Sequence, residues 1–290
     1  MPVDPVNALE SLGYTHREAS FLYLVAVHSG YFVRRQFDYF VDRNRGGLVS
    51  RFLEKTRING HVQLLDTAHG RQVYHLFYKP IYRLIGAPDS QNRRVKGDAD
   101  VRARLMKLDY VLENDGEHHF ASDEEKLQFF SETRGIDART FTSADGAFLP
   151  ELRSMPISIV DRTHPAHSLV RFAFIDEGLL TTTKFQRVLE AMTELLNAVA
   201  HFELIYVATS DHNFQESSAI FWKEFSTDTQ PKQGHLHPDW RNVPAGRPTP
   251  SSSLRSQFTT LLLRFHYPSL TRNELRCSVP CSGVSMDEKR

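Results

Sequence analysis

A chain of 290 residues, 40% hydrophobic and 24% charged, has room for two domains and the composition of an ordinary globular protein. No apolar run approaches the ~18 residues of a membrane span, and Met-Pro-Val-Asp-Pro at the start lacks the basic and apolar segments of a secretion signal, so no membrane partner and a cytoplasmic location are expected. Net charge is zero, yet residues 1–110 carry 17 Lys+Arg against 11 Asp+Glu while the remainder carries 18 against 24, a split that points the basic part towards an anionic partner.

Thr15-His16-Arg17-Glu18 has the form of a capping box. Ala19, Leu22 and Val25 then recur at helical spacing up to Ser29-Gly30. A short helix is predicted over 34–41 and a third over 48–58, separated by the polar turn Asp42 to Gly47. In the third, Val49, Phe52, Leu53 and Thr56 would face inward, and Ser50, Arg51, Glu54, Lys55 and Arg57 outward. Residues 61–65 and 73–77 flank Ala68-His69-Gly70-Arg71 as a β-hairpin, and Lys79-Pro80 opens one more short helix. Helices followed by a hairpin are the order of a winged helix, predicted here over residues 10–86.

In such a domain the second helix of the helix-turn-helix pair lies in the major groove and neighbouring cations clamp phosphates. The candidate contacts are Arg34, Arg35, Arg43, Arg45, Ser50, Arg51, Lys55, Arg57 and Arg71, with Gly46-Gly47 leaving backbone N–H groups open to phosphate. Double-stranded DNA is therefore the expected partner. Binding to protein alone is the competing reading, because basic helix faces are common.

Residues 87–135 read as a basic linker, 86–97, followed by a helical connector with helices over 101–112 and 123–133, the latter capped by Ser122 with Glu125 and ended by Gly135. Residues 136–168 look irregular. An α/β module extends to residue 226: a strand over 169–175, a helix over 184–199, a strand over 202–208 and a helix over 214–225, which suggests a βαβ unit with parallel strands. Residues 227–290 read as a largely extended tail with one packing segment, 258–265. The fold class expected is α/β, α+β overall.

Leu12-Gly13-Tyr14-Thr15-His16-Arg17-Glu18, Gly47 to Leu53, and Arg71-Gln72-Val73-Tyr74 through Tyr82-Arg83-Leu84 resemble the replication-relaxation family, winged-helix proteins of plasmids and integrative mobile elements. The likeness extends over about residues 10–225. It implies a role in plasmid or mobile-element replication, relaxation or their regulation, and a second module related in outline to restriction-endonuclease-like folds; a second copy of the chain (a homodimer) and replication or conjugation proteins are further candidate partners. That module often carries two acids two apart, then Gly; here Phe174 stands in place of the first acid of Asp176-Glu177-Gly178. A lysine two residues after Asp176 would steady the attacking hydroxide, and Gly178 occupies that position. Asp176 and Glu177, adjacent on a strand, would point to opposite faces. No catalytic residue and no cofactor are therefore expected, and Asp176-Glu177-Gly178 reads as a strand end. The alternative is a metal-dependent nuclease built on Asp161, Asp176, Glu177 and Lys184.

His118-His119 and His164 with His167 are read as solvated loop histidines, because metal sites need three or four convergent ligands. Cys277 and Cys281, with His235 and His237 nearby, are read as free thiols in a reducing cytosol rather than as a zinc site.

Overall fold

The computed structural model describes residues 4–41, 46–66, 72–199, 201–225 and 259–266. The tail segment 227–253, Cys277 and Cys281 with His235 and His237, and the predicted contacts Arg43, Arg45 and Arg71 lie outside them.

The N-terminal part opens on α1 (Pro5–Glu10), which the sequence reading left unassigned; Asp4 caps it by accepting from Val6 N at 2.8 Å, and Pro5 stands in the first turn, where its missing N–H costs nothing. The predicted capping box is present: Thr15 Oγ1 accepts from Glu18 N, and Glu18 Oε2 accepts from Thr15 N at 2.9 Å, starting α2 (His16–His28). Then come β1 (Tyr31–Val33), α3 (Arg34–Phe40), α4 (Gly46–Ile58), the hairpin β2 (Val62–Asp66) and β3 (Gln72–Leu76), and α5 (Lys79–Leu84). The three strands form an antiparallel sheet in the order β1-β3-β2. Its core is aromatic. Phe37 and Phe52 stack at 3.9 Å, Phe21 meets both edge-on, and Phe32 lies against Phe21 and Phe52. All four are buried, as are Val49, Leu53 and Thr56 of α4, the inward face expected. Each such phenylalanine contributes about 1.5–3 kcal/mol by burial.

Residues 86–97, expected as a linker, are instead fastened down. The Asn92 side chain donates to the carbonyls of Ala26 and Val27 at 2.9 and 2.7 Å, closing the free C-terminal end of α2. Arg104 donates to Ser29 O at 2.8 Å and to Asn92 Oδ1. Tyr31 donates its hydroxyl to Arg94 O at 3.0 Å and accepts from Lys96 N at 2.9 Å.

The C-terminal part comprises α6 (Asp98–Glu113), β4 (His118–His119), α7 (Asp123–Gln128), α8 (Pro150–Ser154), β5 (Ile157–Ile159), β6 (Val170–Asp176), α9 (Thr182–Ala198), β7 (His201–Ala208), α10 (Phe214–Phe225) and β8 (Thr259–His266). The predicted 123–133 helix keeps its Ser122 cap but widens into a π turn at Phe129–Thr133 before Gly135. The stretch 136–168, expected to be irregular, contributes α8 and β5. The five strands run in the order β4-β5-β6-β7-β8; β6 and β7 are parallel, joined by α9, and the other pairs are antiparallel. The βαβ unit is thus present, and the expected packing segment near residue 260 is β8.

α6 joins the two parts. Its Leu108 and Leu112 belong to the N-terminal core. Its Met106, Tyr110 and Val111 pack on Ala173, Ile205 and Val207 of the five-stranded sheet. The opposite sheet face holds Phe172, Phe174, Leu204 and Tyr206 against α9 and α10. The stretch read as a connector is therefore the packing centre of the molecule, an α+β chain with two small sheets.

Candidate functional site

The outward face of α4 carries Ser50, Arg51 and Arg57, all exposed. Arg51 Nε donates back to Gly47 O at 3.2 Å, which holds its stem along the helix. Space around Gly47 is open: a Cβ placed there would meet nothing within 4 Å. From α3, Arg34 reaches across to donate to Ser50 Oγ at 3.2 Å, and it lies 3.9 Å from Asp38. The structure thus brings Arg34, Ser50 and Arg51 to one edge of the α3–α4 pair.

Two of the predicted cations are committed elsewhere. Lys55, expected to face outward, bends back: its ammonium sits 2.7 Å from Glu18 Oε2 and 5.0 Å from the Tyr14 ring centre, so it locks α4 onto the capping box of α2. Arg35 forks onto Asp109 of α6 at 2.9 and 2.5 Å, and Gln36 adds a 2.9 Å bond to the same carboxylate. Asp109 is 6% exposed, so Arg35 serves as its counter-ion and fixes α3 to α6. Helical position alone sets Lys55 outward, but a long side chain next to a carboxylate on another helix follows the charge.

In the second module Asp161 stands apart from Asp176, and Asp176 is committed to the fold. Asp176 is fully buried at the C-terminal end of β6. One of its oxygens accepts from Gly178 N at 2.8 Å and Leu180 N at 3.2 Å, the other from Tyr206 Oη at 2.8 Å and Asn213 Nδ2 at 3.3 Å. A carboxylate with four donors is a turn anchor, and Gly178, at φ +94°, completes the strand end the sequence suggests. Burial and the Asp176 carboxylate push the Tyr206 hydroxyl up, keeping it a donor. Asp161 lies beyond the other end of β6, where its backbone N–H donates to Ser168 Oγ. The seven residues of β6 separate it from Asp176, a span of ~20 Å. Its exposed carboxyl is held at about 2 by hydrogen bonds from Thr163, with His164 at 3.1 Å. Glu177 is half-buried and Lys184 exposed on the first turn of α9. Among the described residues no three His, Cys, Asp or Glu side chains gather as a metal site.

A charged cluster that sequence reasoning missed lies on the α6 face of the sheet. One register row crosses it: His119, Ser158, Arg171 and Glu203. Arg171 binds Glu203 at 2.8 Å and, on its other side, Glu117, which also accepts from Ser158 Oγ at 2.6 Å. Both glutamates are buried, so the guanidinium offsets two carboxylates in a dry place. The two acids raise the Arg171 pKa against the pull of burial. The signal was present in the alternation: Arg171 and Glu203 each interrupt an apolar strand at a position facing away from Phe172 and Leu204, and a charge there requires a partner.

Of the histidines read as loop residues, His118 and His119 form β4. His118 pairs with Glu125 at 2.7 Å, and His119 bonds Asn114 O at 3.0 Å. His164 and His167 are exposed, as expected. No helix of the described residues is long and apolar enough to cross a membrane. Comparison with protein-family models, with curated proteins and with solved structures finds no match.

Proposed function

We propose that the N-terminal part is a winged helix that binds double-stranded DNA through α4, and that the protein acts in replication, relaxation or their control in a plasmid or mobile element, as the family it resembles would imply. The observation that carries this reading is the pairing of element order with charge. A strand, two helices and a hairpin close into one antiparallel sheet, and the helix before the hairpin presents Ser50, Arg51 and Arg57 to solvent with Arg34 beside Ser50. A helix with a buried aromatic stripe and a cationic outer face suits a groove lined by phosphates.

The second module, in this reading, is an endonuclease-like unit that serves docking or dimerisation without chemistry. The antiparallel run β4-β5-β6 and the crossover into parallel β7 support that kinship, and the distance of Asp161 from Asp176 with the full burial of Asp176 supports the absence of cleavage. Titration of labelled duplex tests the first claim: binding is expected, with log K falling linearly against log salt by about 0.9 for each phosphate contact. Absence of binding at low salt would refute it. Supercoiled plasmid incubated with the protein and Mn²⁺ is expected to stay intact; nicking that Glu177→Ala abolishes would overturn the second claim.

A further inference from the structure

The outer face of α4 is not uniformly cationic. Successive residues of an α-helix are turned by about 100°, so Arg51 and Arg57, each three residues from Glu54, stand about 60° from it on opposite sides. Glu54 therefore occupies the middle of the stripe, between two arginine margins. Ser50 and Ile58, one turn before and one turn after, continue its ridge. All five residues are exposed, while Val49, Phe52 and Leu53 make the buried side of the helix.

The Glu54 carboxylate is not spent on the fold. Among the described residues it enters no hydrogen bond or ion pair. Arg51, within reach of it by helical spacing, turns its Nε back to Gly47 O instead. An acid in the middle of a face that meets DNA is repelled by phosphates and gains only where it finds a donor. The major groove, about 12 Å wide, takes one helix, whose margins lie towards the phosphate walls and whose central ridge meets base edges. Only cytosine and adenine present an amino donor there. The adenine donor is flanked by acceptors on both sides, its own N7 and the O4 of its thymine, an arrangement that suits an amide. The cytosine N4 donor has an acceptor on the guanine side alone, so a carboxylate meets least repulsion at cytosine.

We propose that Glu54 is a sequence-reading residue of α4: its carboxylate accepts from N4 of a cytosine, and the protein prefers duplexes with a C·G pair under the middle of the helix. Arg51 and Arg57 hold the phosphates on either side. This role rests on the DNA reading of α4 and adds a base preference to it.

The test is selection from a duplex library with a random core, run with the full-length wild type, Glu54→Ala and Glu54→Gln, followed by sequencing of the bound fraction. The wild type is expected to enrich a C·G pair at one position by about tenfold or more. Glu54→Ala is expected to keep the rest of the selected sequence and lose the preference at that pair. Glu54→Gln is expected to lose it or move it to A·T, because an amide pairs with adenine N6 and N7. Affinity for the unselected library is expected to be equal or higher in Glu54→Ala, since a charge repelled by phosphates is gone. Both variants are expected to keep the wild-type thermal midpoint, because Glu54 is exposed. A wild type that binds duplex but selects no C·G pair, or a C·G preference retained in either variant, would overturn the assignment and leave duplex binding standing. A wild type that retains no duplex at about 50 mM salt would refute the DNA reading itself, and the base reading with it.

Discussion

Asp176 and Glu177 show how two adjacent acids acquire opposite fates from strand geometry. Successive side chains point to opposite faces of a sheet, so Asp176 enters the α9 side of the core, where Tyr206, Asn213 and two backbone N–H groups surround it, while Glu177 stays half in solvent. Hydrogen bonds to a buried charge contribute about 1.5–3 kcal/mol each, and removing the acceptor strands four donors. Asp176→Ala is expected to cost about 3–5 kcal/mol in urea unfolding, and Glu177→Ala less than about 0.5 kcal/mol. Similar losses in both would show that Asp176 is not the anchor. At this scale the sequence was legible in outline: Asp176-Glu177-Gly178 reads as a strand end without coordinates, and the structure has Gly178 at φ +94° with its N–H on the Asp176 carboxylate. The partners of Arg35 and Lys55 are not. Asp109 lies 74 residues from Arg35 and Glu18 lies 37 from Lys55, and helical position alone cannot choose between solvent and a distant carboxylate.

At the scale of elements, the helices with strong caps and periodic apolar faces were readable, as were the hairpin and the short α3 and α5, whereas α1, α8, β1, β4 and β5 were not. α2 follows from its capping box, and α9 from Val188, Leu189, Met192, Leu195 and Leu196, all buried. β1 and β5 have three residues each, too few for alternation to register, and both exist because longer strands pair with them. The strap at 86–97 was hidden for a different reason. Its composition is that of a loop, and its order comes from contacts distant in sequence: Asn92 caps a helix sixty-odd residues earlier, and Tyr31 holds Arg94 and Lys96. The Asn92 contact leaves Gly30 no room: its φ is +80°, and a Cβ there would stand 2.0 Å from the Asn92 carbonyl oxygen. Gly30→Ala is therefore expected to cost about 2–4 kcal/mol, from left-handed strain and the displaced strap together. A thermal melt equal to that of the wild type would show that the strap does not bear on the end of α2.

Across the whole molecule, α6 makes the two parts interdependent, and a pair of histidines marks their junction. His28, buried at the end of α2, meets the His119 ring of β4 at 6.0 Å between centres. Burial holds His28 well below its ordinary value, with Lys107, His119 and Lys126 adding repulsion, and burial lowers His119 as well. A base whose folded pKa is depressed is neutral in the fold, so the unfolded chain binds more protons once the pH drops below its own value. Stability should then be complete above about pH 6.5 and fall as the pH decreases from there, by up to about 1.4 kcal/mol per unit for each histidine. His28→Gln is expected to reduce that slope in denaturant titrations between about pH 6.5 and 4.5. A slope unchanged by the substitution would place the acid sensitivity elsewhere.

The central claim, that α4 presents DNA-binding cations and that Lys55 is not one of them, is tested most directly by comparing duplex affinity for the wild type, Arg51→Ala/Arg57→Ala and Lys55→Ala at about 50 and 200 mM salt. The double substitution leaves the buried Val49, Phe52 and Leu53 untouched. It is expected to keep the thermal midpoint, lose at least tenfold in affinity at the lower salt, and flatten the salt dependence by about two phosphate contacts. Lys55→Ala is expected to lower the thermal midpoint, because Glu18 loses its partner, while the salt dependence of binding stays that of the wild type. Unchanged affinity and salt dependence in the double variant, or a flattened salt dependence in Lys55→Ala alone, would contradict the account.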